Sequence, residues 1–363
     1  MAHPDREVYR RDVSVETSPW PGVRGRLEAL VEQGFSGSVL VTRGEHVLLE
    51  FCGGHANRAT GTTVHPGTRF ELASLSKSYT AAAVLSCVRD GLLAVGDRVV
   101  DVLPAERRPR TLDPAVTVHH LLTHTSGIGD YAEEQEDTAH YVADYGSLWV
   151  DRPMYRMERP DDFLPLYTDL SPIFTPGATF HYCNGGYVLL GAVLEQVTGA
   201  PFAAAVSDRV FGPAGMTGSA YLRSDEPYPD VAVGYLPRKG DEPWRSNIFS
   251  VPVIGGGDGG GHSTAADLDR FLRAVASGSL LGPETTVQML EPHVAVGGGW
   301  HMGYGVFLGP GGSLGHGGGD PGVETGARYL RDSDIAWVVL CNTEGVLDPA
   351  WDVLEEAVAA LTG

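Results

Sequence analysis

Apolar positions from Val23 to Gln33 recur at helical spacing, and Gly34 ends the run. The next two segments, Gly37–Thr42 and His46–Phe51, are rich in branched and aromatic residues and flank Arg43-Gly44-Glu45, which predicts a β-hairpin. Ser74 to Asp90 returns to a helical pattern, with alanines inside it and Gly91 as its stop. Between about 100 and 250 the chain reads as helix and long loop, with Val188–Thr198 the clearest helix, closed by Gly199. A helix capped at Ser263 or Thr264 follows a glycine run. Strand character returns in Gly303–Leu308, Ser313–His316, Glu324–Arg331 and Ile335–Asn342, with Arg331-Asp332-Ser333-Asp334 as a hairpin turn. A last helix is expected with Asp348 as cap, Pro349 at its first position and its end near Leu361.

Strands at both ends and helices between them predict one sheet assembled from both termini, an α+β arrangement in two domains. The sheet domain takes residues 23–100 and 255–363, a mostly helical domain is inserted over 101–254, and residues 1–22 form a polar lead. A pocket is expected at the seam. Composition narrows the function. Hydrophobic residues make up 42% of the 363, enough for a sizeable core, and the formal net charge is -20. So acidic a chain argues against nucleic-acid and anionic-membrane partners. It is compatible with a cationic substrate, although a solvated acidic surface is the plainer reading. The N-terminus lacks the apolar core of a signal peptide, and no apolar run is long enough to cross a bilayer. Cys52, Cys87, Cys183 and Cys341 are scattered without metal-ligand spacing and read as reduced thiols, so the expected location is the cytoplasm, with no cofactor and no metal.

Only two lysines occur in the chain, and Lys77 stands three residues after Ser74. Unlike arginine, a buried lysine can lose its proton. Ser-x-x-Lys at a helix start places hydroxyl and amine on one face, which makes Ser74 a candidate activated nucleophile. Tyr182-Cys183-Asn184 sits between Pro176-Gly177 and Gly185-Gly186; a phenol near the Lys77 ammonium should have a lowered pKa and serve as general base. His316-Gly317-Gly318-Gly319 ends a strand, where glycines admit a substrate to the backbone and a free N–H could form half of an oxyanion hole. His120 and His124 have the spacing of a helical zinc pair but lack the adjacent glutamate, and Thr125-Ser126-Gly127 signals a helix end. Gly255 to Gly261 is not a phosphate loop, because no Gly-Lys-Ser/Thr follows; it suits close backbone packing near the site.

Together, Ser74-x-x-Lys77, Tyr182-x-Asn184 and His316-x-Gly318 resemble the serine β-lactamase and penicillin-binding-protein superfamily. The class C-like branch, with its esterases, D-amino-acid peptidases and transacylases, is the nearer likeness. Leu121–Gly127, Phe174–Gly177, Tyr187–Gly191 and Ser263–Leu268 resemble it too. The resemblance implies an antiparallel sheet flanked by helices beside a mostly helical domain. It implies Ser74 as nucleophile, Lys77 and Tyr182 sharing the proton work, Asn184 holding Lys77 or a substrate amide, and the N–H groups of Ser74 and Gly319 lining the oxyanion hole. His316 stands where β-lactamases usually carry lysine. A histidine is only partly charged at neutral pH, which weakens penicillin-like carboxylate substrates and favours neutral esters or amides. Cys183 should point away from the site.

The expected function is therefore acyl transfer from a small ester or amide through a Ser74 acyl-enzyme, with water as acceptor. The alternatives are an amine-accepting transacylase, a β-lactamase or D,D-peptidase, and an acylatable sensor that does not turn over. The lysine-poor, alanine- and glycine-rich composition resembles high-GC bacterial chains, where such enzymes serve secondary metabolism. Tyr131 to Leu170, aromatic and acidic, could wall the pocket. Oligomeric state is not legible.

Overall fold

The computed structural model describes residues 19–143, 145–238, 240 and 242–362. Most of the expected N-terminal lead, including the segment read for a signal peptide, therefore lies outside the described residues. Helix α1 (Trp20–Glu32) begins earlier than its apolar pattern does, because Pro21 sits in its first turn, where a missing N–H costs nothing. The hairpin β1 (Gly37–Arg43) and β2 (His46–Gly53) follows as expected.

The remaining strands of the main sheet are β3 (Val294–Gly297), β4 (Trp300–Met302), β5 (Phe307–Gly309), β6 (Ser313–Asp320), β7 (Val323–Leu330) and β8 (Ile335–Cys341). The sheet order is β2-β1-β8-β7-β6-β5-β4-β3, antiparallel throughout. The N-terminal hairpin thus joins the C-terminal meander edge to edge, with Gly37 opposite Cys341 and Arg43 opposite Ile335. Two strand readings change. Gly303–Val306 is a turn, because Gly305 takes a left-handed φ of 67°, and only Phe307–Gly309 pairs. Ser313–His316 extends to Asp320, since the glycines expected at the strand's end pair with Glu324–Gly326 across the ladder.

Strand β8 is buried along its whole length, and its alternation divides the core. Ile335, Trp337, Val339 and Cys341 meet α1 and the C-terminal helix α7 (Leu347–Thr362) on one face. Ala336, Val338 and Leu340 face the larger core on the other side. That core holds α2 (Lys77–Arg89), α5 (Asn184–Thr198) and α6 (Ala265–Ala276), the last capped by the Thr264 side chain on the Asp267 N–H. Between α2 and α5 lie the short helices α3 (Val118–Leu122) and α4 (Pro160–Tyr167). Strand β6 packs against the turn that precedes α2. Sheet edge, α2 and the start of α5 therefore converge on one point.

Candidate active site

The expected helix start at Ser74 is instead a 3₁₀ turn, Ala73–Ser76, and α2 begins at Lys77. No side chain caps this turn; neighbours hold it. Leu72 N–H donates to Gly261 O, Gly261 N–H to Ser76 Oγ, and Thr325 Oγ1 to Leu72 O. Ala73 is forced to φ 47°, a strain of about 1–3 kcal/mol of the kind that collects at active sites. Gly318 of β6 lies against the same turn: a β-carbon there would stand 2.2 Å from Leu72 O and 2.9 Å from Ser74 N. Gly318→Ala should therefore push β6 off the nucleophile turn, costing about 1–3 kcal/mol in urea unfolding together with activity.

Lys77 is fully buried and spends all three ammonium protons. Its Nζ donates to Ser74 Oγ at 2.9 Å, Asn184 Oδ1 at 2.7 Å and the Asp258 carbonyl at 2.5 Å. Burial pulls its pKa down, but the Tyr182 oxygen and the Asp258 carboxylate more than offset this, and Lys77 ends above its ordinary value. The glycine run brings Asp258 here. A β-carbon on Gly257 would sit 2.1 Å from Tyr187 O, so only glycine lets the run lie on α5. The lone acid in that run was the signal that pattern reading passed over. Tyr131 OH donates to Asp258 Oδ2 at 2.5 Å and fixes it.

Helix α5 starts at Asn184, four residues ahead of the apolar pattern, because Asp130 caps it: Oδ2 accepts from Asn184 N–H at 2.6 Å and Oδ1 from Gly185 N–H at 2.9 Å. Cys183 Sγ accepts from Gly186 N–H within the first turn of α5. Glu133 pairs with His181 at 2.7 Å, both buried. Tyr131 to Glu133 thus straps the second motif in place. Tyr182 lies with Lys77 Nζ 4.9 Å from its ring centroid. The expected lowering of its pKa is corrected: burial pushes the phenol up, and Lys77 and Ser74 offset that only in part.

His316 is buried in β6, with Nδ1 against Gly317 O at 2.5 Å. Burial drives its pKa down to about 4, and Lys77 adds to the shift, so the ring is neutral rather than partly charged. Ser74, Asn184 and Gly319 open onto a cavity of about 670 Å³. Tyr131, Tyr145 and Phe163 from the aromatic stretch wall it. Glu71, Glu134, Asp258 and Asp320 also line it. Burial raises Glu71, hydrogen-bonded to Asn247, to about 7. Burial and then the Glu71 charge hold Asp320 well above the carboxylate range. Arg223 at the rim is paired with Asp225 and Glu158, and burial pulls His262 to about 4. His120 and His124 do not form a metal pair: α3 ends at Leu122, and His124 turns to φ 56°. No group of three metal-ligating side chains occurs among the described residues.

The family model described as Beta-lactamase matches residues 23–360. Esterase EstB of Burkholderia gladioli is 31% identical over 76% of this chain and 76% of its own. A penicillin-binding protein of Bacillus halodurans superposes with a TM-score of 0.83 and 37% identity, over 92% of this chain and 99% of the other. A D-stereospecific amidohydrolase of Streptomyces sp. superposes with a TM-score of 0.76 and 27% identity, over 94% and 98%.

Proposed function

The chain belongs to the beta-lactamase family, and within it we propose a class C-like serine acyl-enzyme hydrolase whose ester or amide donor carries a cationic amine on its acyl group. In this reading Ser74 Oγ attacks the donor carbonyl, and its proton passes to the Lys77–Tyr182 pair. The N–H groups of Ser74 and Gly319 hold the oxyanion. Tyr182 returns a proton to the leaving group, and water then releases the acyl group by the same steps in reverse order. Similarity to an esterase and to a D-stereospecific amidohydrolase supports ester or amide bonds as the target.

The cavity on Ser74 carries the amine assignment. It is bordered by Ser74, Asn184 and Gly319 but not by Tyr182 or His316. A leaving group departs toward its proton donor, so the retained acyl group occupies the cavity. Asp320 lines it together with Glu71 and Asp258, and its carboxyl feels the Lys77 ammonium but more strongly the Glu71 charge. An acyl ammonium would favour the ionised form of Asp320 and pair with it. A donor carboxylate on the acyl side would lie among acidic side chains, and one on the leaving-group side would meet a neutral His316, which disfavours the D,D-peptidase and β-lactamase alternatives.

Matched esters that differ only in a free or an acetylated amine test this. The ammonium ester should be favoured by about ten- to a hundredfold in kcat/KM, the scale of a charge-assisted contact, and Asp320→Asn should erase that preference. Equal rates for both esters, or a preference untouched by Asp320→Asn, would refute the amine assignment. Adding free amines to the assay separates hydrolysis from transacylation: product that forms only with amine identifies a transacylase.

A further inference from the structure

Of the four non-glycine residues with positive φ among the described residues, Asp230 and Asp334 are of a type that tolerates the left-handed region, and Ala73 precedes the nucleophile. The fourth is His124, at φ 56°, just past the end of α3. Glycine or asparagine would meet that backbone requirement more easily. The imidazole is almost entirely buried, at 1% exposure. It stacks on Tyr182 at 4.5 Å and 24°, and on Tyr187 at 4.8 Å and 28°. Tyr187 is itself anchored in α5, its OH donating to Leu122 O at 3.0 Å. His124 Nδ1 accepts from Cys183 N–H at 3.0 Å, which places the ring proton on Nε2, and Nε2 has no partner. A buried N–H left unmatched and a β-carbon in a left-handed backbone are both unfavourable. A residue kept at such a position is explained by what its ring faces touch.

We infer that His124 is the positioning residue of Tyr182, an uncharged ring that couples the phenol to the rigid start of α5 and sets its oxygen against Ser74 and the leaving group. The inference rests on Tyr182 being the proton carrier of the proposed reaction. Tyr182 is half-buried, and its ring lies farther from its other neighbours: the Lys77 ammonium at 4.9 Å and the His316 ring at 6.5 Å. Proton transfer demands placement to a few tenths of an ångström, and a 1 Å error costs about a hundredfold. Neutrality matters as much as shape. Lys77, His316 and His181 are the titratable neighbours that bear on the ring, and burial, with Lys77 next, holds His124 well below its ordinary pKa. A cation at this place would oppose the Lys77 ammonium.

Two substitutions separate stacking from folding. His124→Asn suits the left-handed backbone and offers an oxygen to the Cys183 N–H, so it removes the stacked ring alone. It should lower kcat by about ten- to a hundredfold with KM changed less than about twofold, and should shift the pH profile of kcat, while the melting temperature stays near wild type. His124→Phe keeps a ring and loses the acceptor; it should retain kcat within a few-fold and melt lower. Wild-type kcat in His124→Asn overturns the inference, and so does equal loss of kcat in both variants, which would make the Cys183 hydrogen bond the essential contact. Tyr182→Phe is the reference. If it stays active, the proposed reaction fails; if it is inactive while His124→Asn is fully active, only the role of His124 fails.

Discussion

Lys77→Ala is expected to lower the rate of Ser74 acylation by at least about a thousandfold, and Lys77→Arg is expected not to restore it. Lys77 Nζ touches the nucleophile, the second motif and the glycine run together. Its removal leaves Ser74 Oγ without the donor that orients it and the pair without its second proton site. It also strands the Asn184 oxygen and the Asp258 carbonyl without their donor, so a fall in stability accompanies the fall in rate. A guanidinium is planar, larger than the ammonium it would replace, and does not give up its proton at working pH. Intact-mass detection of the acyl-enzyme with an activated ester measures the step directly, with Ser74→Ala as the unlabelled reference. Acylation of Lys77→Ala within tenfold of wild type would exclude a Ser-Lys-Tyr mechanism.

Residues that carry the reaction in this reading were legible because they lie in short, ordered patterns. Ser74 and Lys77 are one turn apart, and Tyr182 and Asn184 flank a capping residue. The residues that hold them were not legible, because each acts across the fold. Asp258 meets Lys77 across 181 positions of chain, and Asp130 caps Asn184 across 54. Elements followed the same division. The hairpin β1–β2 and the buried β8 came straight from residue pattern, since local propensity and burial agree there. Readings failed where a tertiary contact overrides the local rule. The turn at Ala73–Ser76 is stitched by Gly261 and Thr325, the start of α5 is set by Asp130, and the glycines of β6 pair only because β7 lies beside them.

Asp258 ties Lys77 to the cavity that the proposed reaction assigns to the acyl group. Its carbonyl accepts from Lys77 while its carboxylate faces the cavity beside Asp320. The same acid that raises the proton affinity of Lys77 is thus within reach of a bound ammonium. In the proposed reaction donor recognition and base activation share a group, so a change in one should be read in the other.

Tyr182→Phe should cost about 10² to 10⁴ in kcat, the span of general acid–base catalysis, and should also change the pH dependence. The sign follows from the two shifts. Lys77 stands above its ordinary pKa because the Tyr182 oxygen and Asp258 outweigh burial. Tyr182 stands above its own because burial outweighs Lys77. Because the Tyr182 charge that raises Lys77 exists only once the phenol has ionised, the two shifts belong to one coupled pair; that pair is expected to hold both protons at neutral pH and to accept the Ser74 proton only after losing one. For a neutral ester, kcat/KM should rise about tenfold per pH unit from neutral into the alkaline range, then level as the pair loses its first proton. That plateau belongs to the pair, so Tyr182→Phe should remove the steep rise as well as the rate. An ammonium-bearing donor competes for the Asp258 charge that retains the Lys77 proton, and its profile should rise at lower pH than that of its acetylated counterpart. Rate measurements from pH 6 to 10 with both esters decide the matter. A flat wild-type profile would show that the pair rests with a proton already lost. Identical profiles for the two esters would separate Asp258 from donor binding.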